Sequence, residues 1–373
     1  MVIVGGGIAG LTAALRIHRA GIAFQLLEAR QRLGGRVLSA DGTGRVSRDG
    51  FDLGPSWFWP DMQPAFGRLV DDLGLVSFAQ HDEGDVVLQR MPLGPPQRYG
   101  GLSQMPPSMR LVGGTASIIA ALTAMLPDGS VELSARATGA TLDGDEVELS
   151  FVDAAGMARS CRSPFVVFAL PPRLIEATLS FAPRIDEASA RRWRDTPTWM
   201  APHAKFFAVY DRPFWREQGL SGTAQSMVGP LAEIHDATTA TGKAALFGFL
   251  GISAADRASA GEDVIVASCV RQLTTLFGPE AAKPRATLFK DWAADPLTAT
   301  ELDRIATGHP IADRRPWVGE TWRDRIVLAG SETSVRDPGY LAGAVDAAER
   351  AAVSVIARLQ TPALSKPPSL AKG

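Results

Sequence analysis

Three groups of residues in this chain have types and spacings suited to chemistry. The first is Gly5-x-Gly7-x-x-Gly10, directly after the β-branched run Val2-Ile3-Val4. The first glycine permits the turn, the second lets backbone approach a pyrophosphate, and the third lets helix and strand pack closely. Ile8 and Ala9 then open a helix, whose unpaired N–H groups and positive dipole end favour phosphate. Glu28 closes the next apolar run. A carboxylate there accepts from adenosine ribose hydroxyls and repels a 2′-phosphate, which disfavours NADP and leaves NAD or FAD. The second group is Ala29-Arg30 followed by Arg32-Leu33-Gly34-Gly35-Arg36, a further glycine pair with arginines that can neutralise a pyrophosphate. The third is Lys205. In the run 204–210, Lys205, Phe207 and Val209 share one strand face. A lysine on an apolar face needs a partner or a polar cavity unless it snorkels from a strand end.

These groups have to be positioned by elements that the pattern makes legible. Val2–Val4 and 24–27 read as buried parallel strands around a helix running from Ile8 to Gly21. Residues 45–52 read as irregular or a short hairpin, 61–76 as helix, and the Pro- and Gly-rich 91–107 as a loop at a domain crossing. Gly113-Gly114 precedes a predicted helix from Ala116 to Leu126, with Thr115 as its cap. Alternation from Val131 onward predicts a small antiparallel meander. A buried strand follows at 164–170, closed by Pro171-Pro172. Further strands are expected at 204–210, 244–250 and 325–330, with helices from Asp263 to Phe277 and from Gly343 to Leu359. The Pro-, Lys- and Ser-rich residues 361–373 read as a flexible tail.

Composition bounds the class. Of 373 residues, 46% are apolar and 21% charged, which places the chain among globular proteins. A formal net charge of −2 gives no basic surface for nucleic acid. Cys161 and Cys269 match no metal spacing, and none of the five histidines stands at ligand spacing to another, so no metal site is expected. No apolar run approaches the ~20 residues of a spanning helix. With the first strand beginning at Met1, no leader is read and a soluble cytoplasmic protein is expected.

Further landmarks follow in order. They are Phe51-Asp52-Leu53-Gly54-Pro55-Ser56, Gly113-Gly114, Val166–Pro172, and Lys205 with Tyr210-x-x-Pro213-Phe214-Trp215-Arg216. Then come Ser221-Gly222, Lys290-x-Trp292 with Pro296, Leu328–Thr333 and Gly339–Val345. With these the chain resembles the flavin amine oxidase superfamily, which includes monoamine, polyamine and L-amino-acid oxidases. The landmarks cover most of the chain and are specific only together.

The resemblance implies FAD rather than NAD. It implies that Gly54, Pro55 and Ser56 run past the flavin ring, that Ala137 holds the adenine, and that Trp292 belongs to the cofactor site. It places Glu332 on the ribityl or phosphate portion. Gly330 would end a strand at the ligand edge of the sheet. Leu341, Ala342 and Val345 would open the helix facing the flavin N1 and O2 edge, where reduced flavin is negative. Lys205 would reach flavin N5 through a water and assist reoxidation by oxygen. Tyr340 would be half of an aromatic cage around the substrate amine. The other ring is expected near Glu301 or Leu302, where no aromatic stands. A tethering cysteine is also absent there, which implies noncovalent FAD. Trp57, Trp59 and Trp317 remain as candidates to complete the cage.

The expected fold is α/β with an α+β second domain. A discontinuous Rossmann-type FAD-binding domain (1–59, 108–180 and 303–360) carries a smaller substrate domain of mixed sheet and helices (60–107 and 181–302). The expected activity is oxidation of an amine C–N bond by hydride transfer to flavin N5, with O2 returning the flavin to its oxidised state. The same fold also supports a C–C desaturase, a porphyrinogen-type oxidase or a renalase-like oxidase, and a non-catalytic flavoprotein subunit is a third possibility.

Overall fold

A computed structural model describes residues 1–101, 103–305 and 308–360. The β-branched start forms the centre of a five-stranded parallel sheet ordered Ile326–Leu328, Val166–Phe168, Val2–Val4, Gln25–Glu28 and Val131–Leu133. Both faces are covered, so the strands are continuously apolar rather than alternating. On one face the helices Ile8–Arg19 and Leu341–Gln360 pack together, burying Ile3, Leu11, Leu15, Val345 and Val355. The other face holds Val2, Val4, Phe168 and Leu328 against a four-stranded sheet that includes Arg136–Asp143 and Glu146–Val152. Each large side chain so buried contributes roughly 1.5–3 kcal/mol.

Several expectations are corrected by what the neighbours do. Val131–Leu133 belongs to the parallel sheet, paired with Gln25–Glu28, and the antiparallel meander starts only at Arg136. Thr115 does not cap its helix. Its backbone is already helical, at φ −65° and ψ −19°, and its hydroxyl is spent on Asp52 and Pro55. The strand ends at Phe168, Pro171 is the N-cap residue, and Pro172 begins the helix Pro172–Thr178, at a position where a missing N–H is harmless. The loop 91–107 contains the edge strand Gln97–Tyr99, paired with Asp85–Gln89. The final helix starts at Leu341, two residues earlier than its periodicity indicates.

A seven-stranded sheet draws its strands from 85–99 and 204–291. It backs onto the helix Glu262–Phe277, with Phe206, Trp215, Leu246, Leu273 and Phe277 between them. Alternation along Ala204–Tyr210 sends Phe206 and Ala208 into that core. Phe207 faces the other way and packs with Phe51 and Leu53 of the nucleotide-side segment. Phe181, Ile185 and Trp193 pack with the nucleotide-side core, so the chain passes to the second sheet after the helix Glu187–Asp195 rather than at 181. No helix among the described residues is long and apolar enough to cross a membrane. The expected tail, 361–373, lies outside the described residues.

Candidate active site

A cavity of about 670 Å³ runs between the two sheets. At one end lies the glycine turn. Gly5 has φ +104°, which a side chain disfavours, and a Cβ on Gly10 would stand 1.8 Å from the Gly5 carbonyl oxygen. A Cβ on Gly7 would meet nothing closer than 3.8 Å, because Gly7 faces the cavity. The helix it opens has no side-chain cap, so its first N–H groups are free for a ligand. Glu28 is buried and accepts from Gly6 N at 2.7 Å and Arg30 N at 2.8 Å. Arg30 holds Asp295 in a two-pronged pair at 2.9 and 3.0 Å and also donates to Thr298. Arg36 donates to Glu332 at 2.7 Å and to Ser331. Anion-ready N–H groups, a ribose-type carboxylate and a nearby arginine together fit the adenosine and pyrophosphate of FAD.

The middle of the cavity is shaped by the turn after Phe51–Asp52. Asp52 Oδ1 accepts from Ser39 Oγ at 2.6 Å, Thr115 N at 2.8 Å and Thr115 Oγ1 at 2.9 Å, which pins the turn to the start of the Ala116–Ala124 helix. The turn in turn surrounds Lys205. Its Nζ donates to Asp52 O at 3.1 Å, Gly54 O at 2.6 Å and Ser56 Oγ at 2.9 Å, and it lies 4.7 Å from the Phe247 ring centre. Only 4% of Lys205 is exposed. Burial lowers its pKa from 10.5 to about 7; the Asp52 charge opposes the shift and the Arg110 guanidinium adds to it.

The far end is aromatic. Tyr340 packs against His309 at 4.9 Å and against Trp199 at 6.3 Å between ring centres. Trp57 faces the cavity from the other side, fixed by a 2.9 Å bond from its Nε1 to Gln80.

Of the residues singled out in the sequence, the cavity is lined by Gly5, Gly7, Ile8, Ala9, Glu28, Ala29, Arg30, Gly34, Gly35 and Arg36, and by Gly54, Pro55, Ser56, Ala137, Lys205, Trp292, Gly330, Tyr340 and Leu341. Gly10 supports the turn from beneath. Ala342 and Val345 are buried in the helix–sheet core, because the helix turns those positions inward; Ala344 takes the cavity side. Glu332 is 1% exposed and lies off the cavity, with its carboxylate committed to Arg36 and Ser331, so any effect on a ligand passes through Arg36.

The candidates for a second ring divide. Trp57 and Trp59 line the cavity. Trp317 does not: Arg192 lies 3.6 Å over its ring, and it packs against the nucleotide-side core. Glu301 and Leu302 are exposed. The residue that sequence reasoning missed is Trp199. Its N–H donates to Glu332 at 3.3 Å and its carbonyl accepts from Arg36 at 3.1 Å. A Cβ on Gly339 would stand 2.6 Å from Trp199 Cβ. The next residue, Met200, has φ +62°, a conformation unusual for a side-chain-bearing residue and concentrated at functional sites. The available signal was an aromatic residue six positions before Lys205, which no periodicity marks. Among the described residues no cluster could hold a metal ion. Burial pushes the Cys269 thiol up to about 12, which leaves it unreactive.

Comparison with known proteins places this arrangement. The family model for flavin containing amine oxidoreductase matches residues 90–356, and that for an NAD(P)-binding Rossmann-like domain matches residues 3–73. The chain is 25% identical over 462 residues to the flavin-containing amine oxidase B of Cavia porcellus, covering 95% of this chain and 86% of the relative. It shares its fold with putrescine oxidase bound to putrescine, at TM-score 0.78 and 21% identity over 95% of this chain and 98% of that one. The same holds for cyclohexylamine oxidase from Brevibacterium oxydans, at TM-score 0.78 and 19% identity over 96% and 99%. With the family match spanning well over half of the chain and an FAD-shaped site at its centre, the protein belongs to the flavin-containing amine oxidoreductase family and is an FAD-dependent oxidoreductase.

Proposed function

We propose that the protein oxidises the C–N bond of a small amine, passes the electrons to dioxygen, and releases hydrogen peroxide. The observation that carries this reading is a single cavity that joins the glycine turn to Lys205 and Tyr340. FAD, held noncovalently by the residues from Gly5 to Arg36, supplies the acceptor for the hydride that leaves the α-carbon. The amine loses that hydride and one proton, becomes an imine, and is hydrolysed to a carbonyl compound and an amine or ammonia.

The chain contributes orientation, exclusion of water and charge control. Tyr340, Trp57 and Phe249 give the substrate an aromatic surround, in which an amine sheds water and is favoured as the neutral base. A neutral amine has the nitrogen lone pair that loss of the α-hydride requires. Lys205 stands among three fixed acceptors with a pKa near 7, so it can hold or release a proton at working pH. That property suits a residue that supplies charge when dioxygen takes up electrons. Arg36 and the helix N-terminus at Ile8 anchor the cofactor and take no part in the bond changes.

An anaerobic amine panel with flavin absorbance as readout, followed by peroxide detection on admitting air, tests the reading. Bleaching by amines and one peroxide per turnover are expected. Bleaching by a carotenoid precursor, a porphyrinogen or a dihydropyridine, and by no amine, would move the reaction to C–C or C–H oxidation on the same fold. Flavin that no small reductant bleaches would leave a non-catalytic flavoprotein.

A further inference from the structure

Arg30 lines the nucleotide end of the cavity, yet its guanidinium is spent on a segment of the other sheet. Arg30 lies two residues past Gln25–Glu28, a strand of the parallel sheet. Its partners lie just past Ala286–Asp291, an edge strand of the seven-stranded sheet. Arg30 donates to both oxygens of Asp295 and, at 2.9 Å, to Thr298 Oγ1. The pair is nearly dry, with the two side chains 14% and 8% exposed.

Asp295 is held from several sides. Besides Arg30 it accepts from Lys290 Nζ at 3.0 Å and from Leu297 N at 3.1 Å. Burial opposes its charge, but the bonds and charges of Arg30 and Lys290 outweigh burial and hold its pKa below the usual carboxylate value. Lys290 in turn stands 4.5 Å from the ring centre of Trp292, which lines the cavity.

The main chain of Arg30 serves the carboxylate that a ribose requires. Arg30 N donates to Glu28 Oε1 at 2.8 Å, and Gly6 N donates to Oε2 at 2.7 Å. Asp295 therefore reaches Glu28 through one residue, gripping its side chain while its backbone grips the glutamate. On the outer side of the pair a second recess, of about 490 Å³, shares Arg30, Pro296 and Leu297 with the main cavity. Those three residues form the wall between the two.

We propose that Asp295 is a positioning residue for the cofactor: it clasps Arg30, keeps Glu28 turned to the adenosine ribose and keeps this wall shut, so that FAD leaves when the Arg30–Asp295 pair opens. This role is independent of the substrate and needs only bound FAD. Opening the pair strands two charges that have little water around them. Loss of one partner of such a pair appears in the rate of release rather than of capture.

The test follows FAD release from the loaded protein, by the rise in flavin fluorescence after dilution. Asp291→Asn is the control: Asp291 belongs to the same segment and to an equally buried pair with Arg257, at 2.7 Å, but makes no bond to Arg30 or Glu28 among the described residues. Asp295→Asn is expected to speed release at least ~30-fold and Asp291→Asn less than ~threefold. Asp295→Asn protein that purifies without flavin, beside flavin-loaded Asp291→Asn, is the same result at its limit. Unaltered release from Asp295→Asn overturns the proposal. Equal acceleration or equal loss of flavin in the two variants also overturns it, because a general loosening of the segment then explains the effect. If Asp295→Asn does not fold, Thr298→Val carries the test. It removes one bond to the Arg30 guanidinium at nearly constant shape, and release about tenfold faster is expected. Unchanged release from that variant overturns the proposal.

Discussion

The nucleotide end and the substrate end of one cavity are built on opposite plans. At the nucleotide end the chemistry sits in one stretch, Gly5 to Arg36, and its charges are satisfied on the spot: Glu28 by two backbone N–H groups, Arg30 by Asp295, Arg36 by Glu332. At the substrate end the residues come from 57, 59, 199, 200, 203, 205, 249 and 340, and the one lysine is surrounded by neutral acceptors rather than by a carboxylate. A pyrophosphate is recognised by backbone geometry and fixed positive charge, which a short segment can supply. A substrate pocket is recognised by shape and by the groups it leaves out, which only distant segments brought together can define.

The contrast can be broken most severely at Gly10. Gly10→Ala puts a Cβ where the Gly5 carbonyl now lies, and the turn cannot close. A loss above ~4 kcal/mol and protein purified without flavin absorbance are expected. A yellow variant with an unaltered melting temperature would show that the turn relaxes and that the close approach is not required.

Arg36→Ala comes next, because it leaves the buried Glu332 carboxylate without its cation. Breaking a buried pair costs roughly 3–5 kcal/mol, and the partial exposure of Arg36 points to the lower figure. The double variant Arg36→Ala/Glu332→Gln should regain much of that stability while still binding FAD weakly. If the double variant melts no higher than the single one, Glu332 is not the source of the loss.

Lys205 sharpens the comparison through pH. Its folded pKa, about 7, lies below its ordinary 10.5. Between those values the unfolded chain binds the extra proton, so this group makes stability rise as pH climbs from about 7 to 10.5 and adds no slope below that window. The contribution is at most ~1.4 kcal/mol per pH unit. Lys205→Met should flatten the rise in melting temperature across that window, and an unchanged pH slope would mean that the lysine is not titrating there. The oxygen half-reaction of the same variant should be slowed.

The smallest effect is expected at Gly339→Ala, which leaves Lys205 and the Gly5–Gly10 turn untouched. Its φ is +83° and its Cβ would push on Trp199. FAD affinity should hold while the efficiency of flavin reduction by amines falls roughly tenfold, the order associated with small misplacement of a positioning group. Titration with FAD and anaerobic reduction measure the two separately. A fall in FAD affinity with amine reduction intact would reverse the assignment of Trp199 to the substrate end.

Legibility followed the same division. Gly5, Gly7, Gly10 and Glu28 were readable because each is demanded by a local backbone requirement at fixed spacing. Lys205 was readable as a polar break in an apolar strand. Thr115 was misread as a cap, because the pull of Asp52, 63 residues away, outweighs the local preference for an N-cap. Val131–Leu133 was misread as meander, because a three-residue run has no period to distinguish parallel from antiparallel pairing. Trp199 carried no signal, since its importance lies in what Gly339, Arg36 and Glu332 do to it from elsewhere.

The sequence by itself determined a βαβ unit and its dinucleotide site, and it marked Lys205 as a lysine on an apolar strand face that either lines a cavity or snorkels out. Those features depend on φ, on side-chain period and on charge within a few residues. Only the tertiary structure decided that Glu332 serves Arg36, that Trp317 stands apart, and that Trp199 packs on Tyr340. Each of these depends on which distant side chains meet. A buried group's partner is set by packing, and packing is a property of the whole fold.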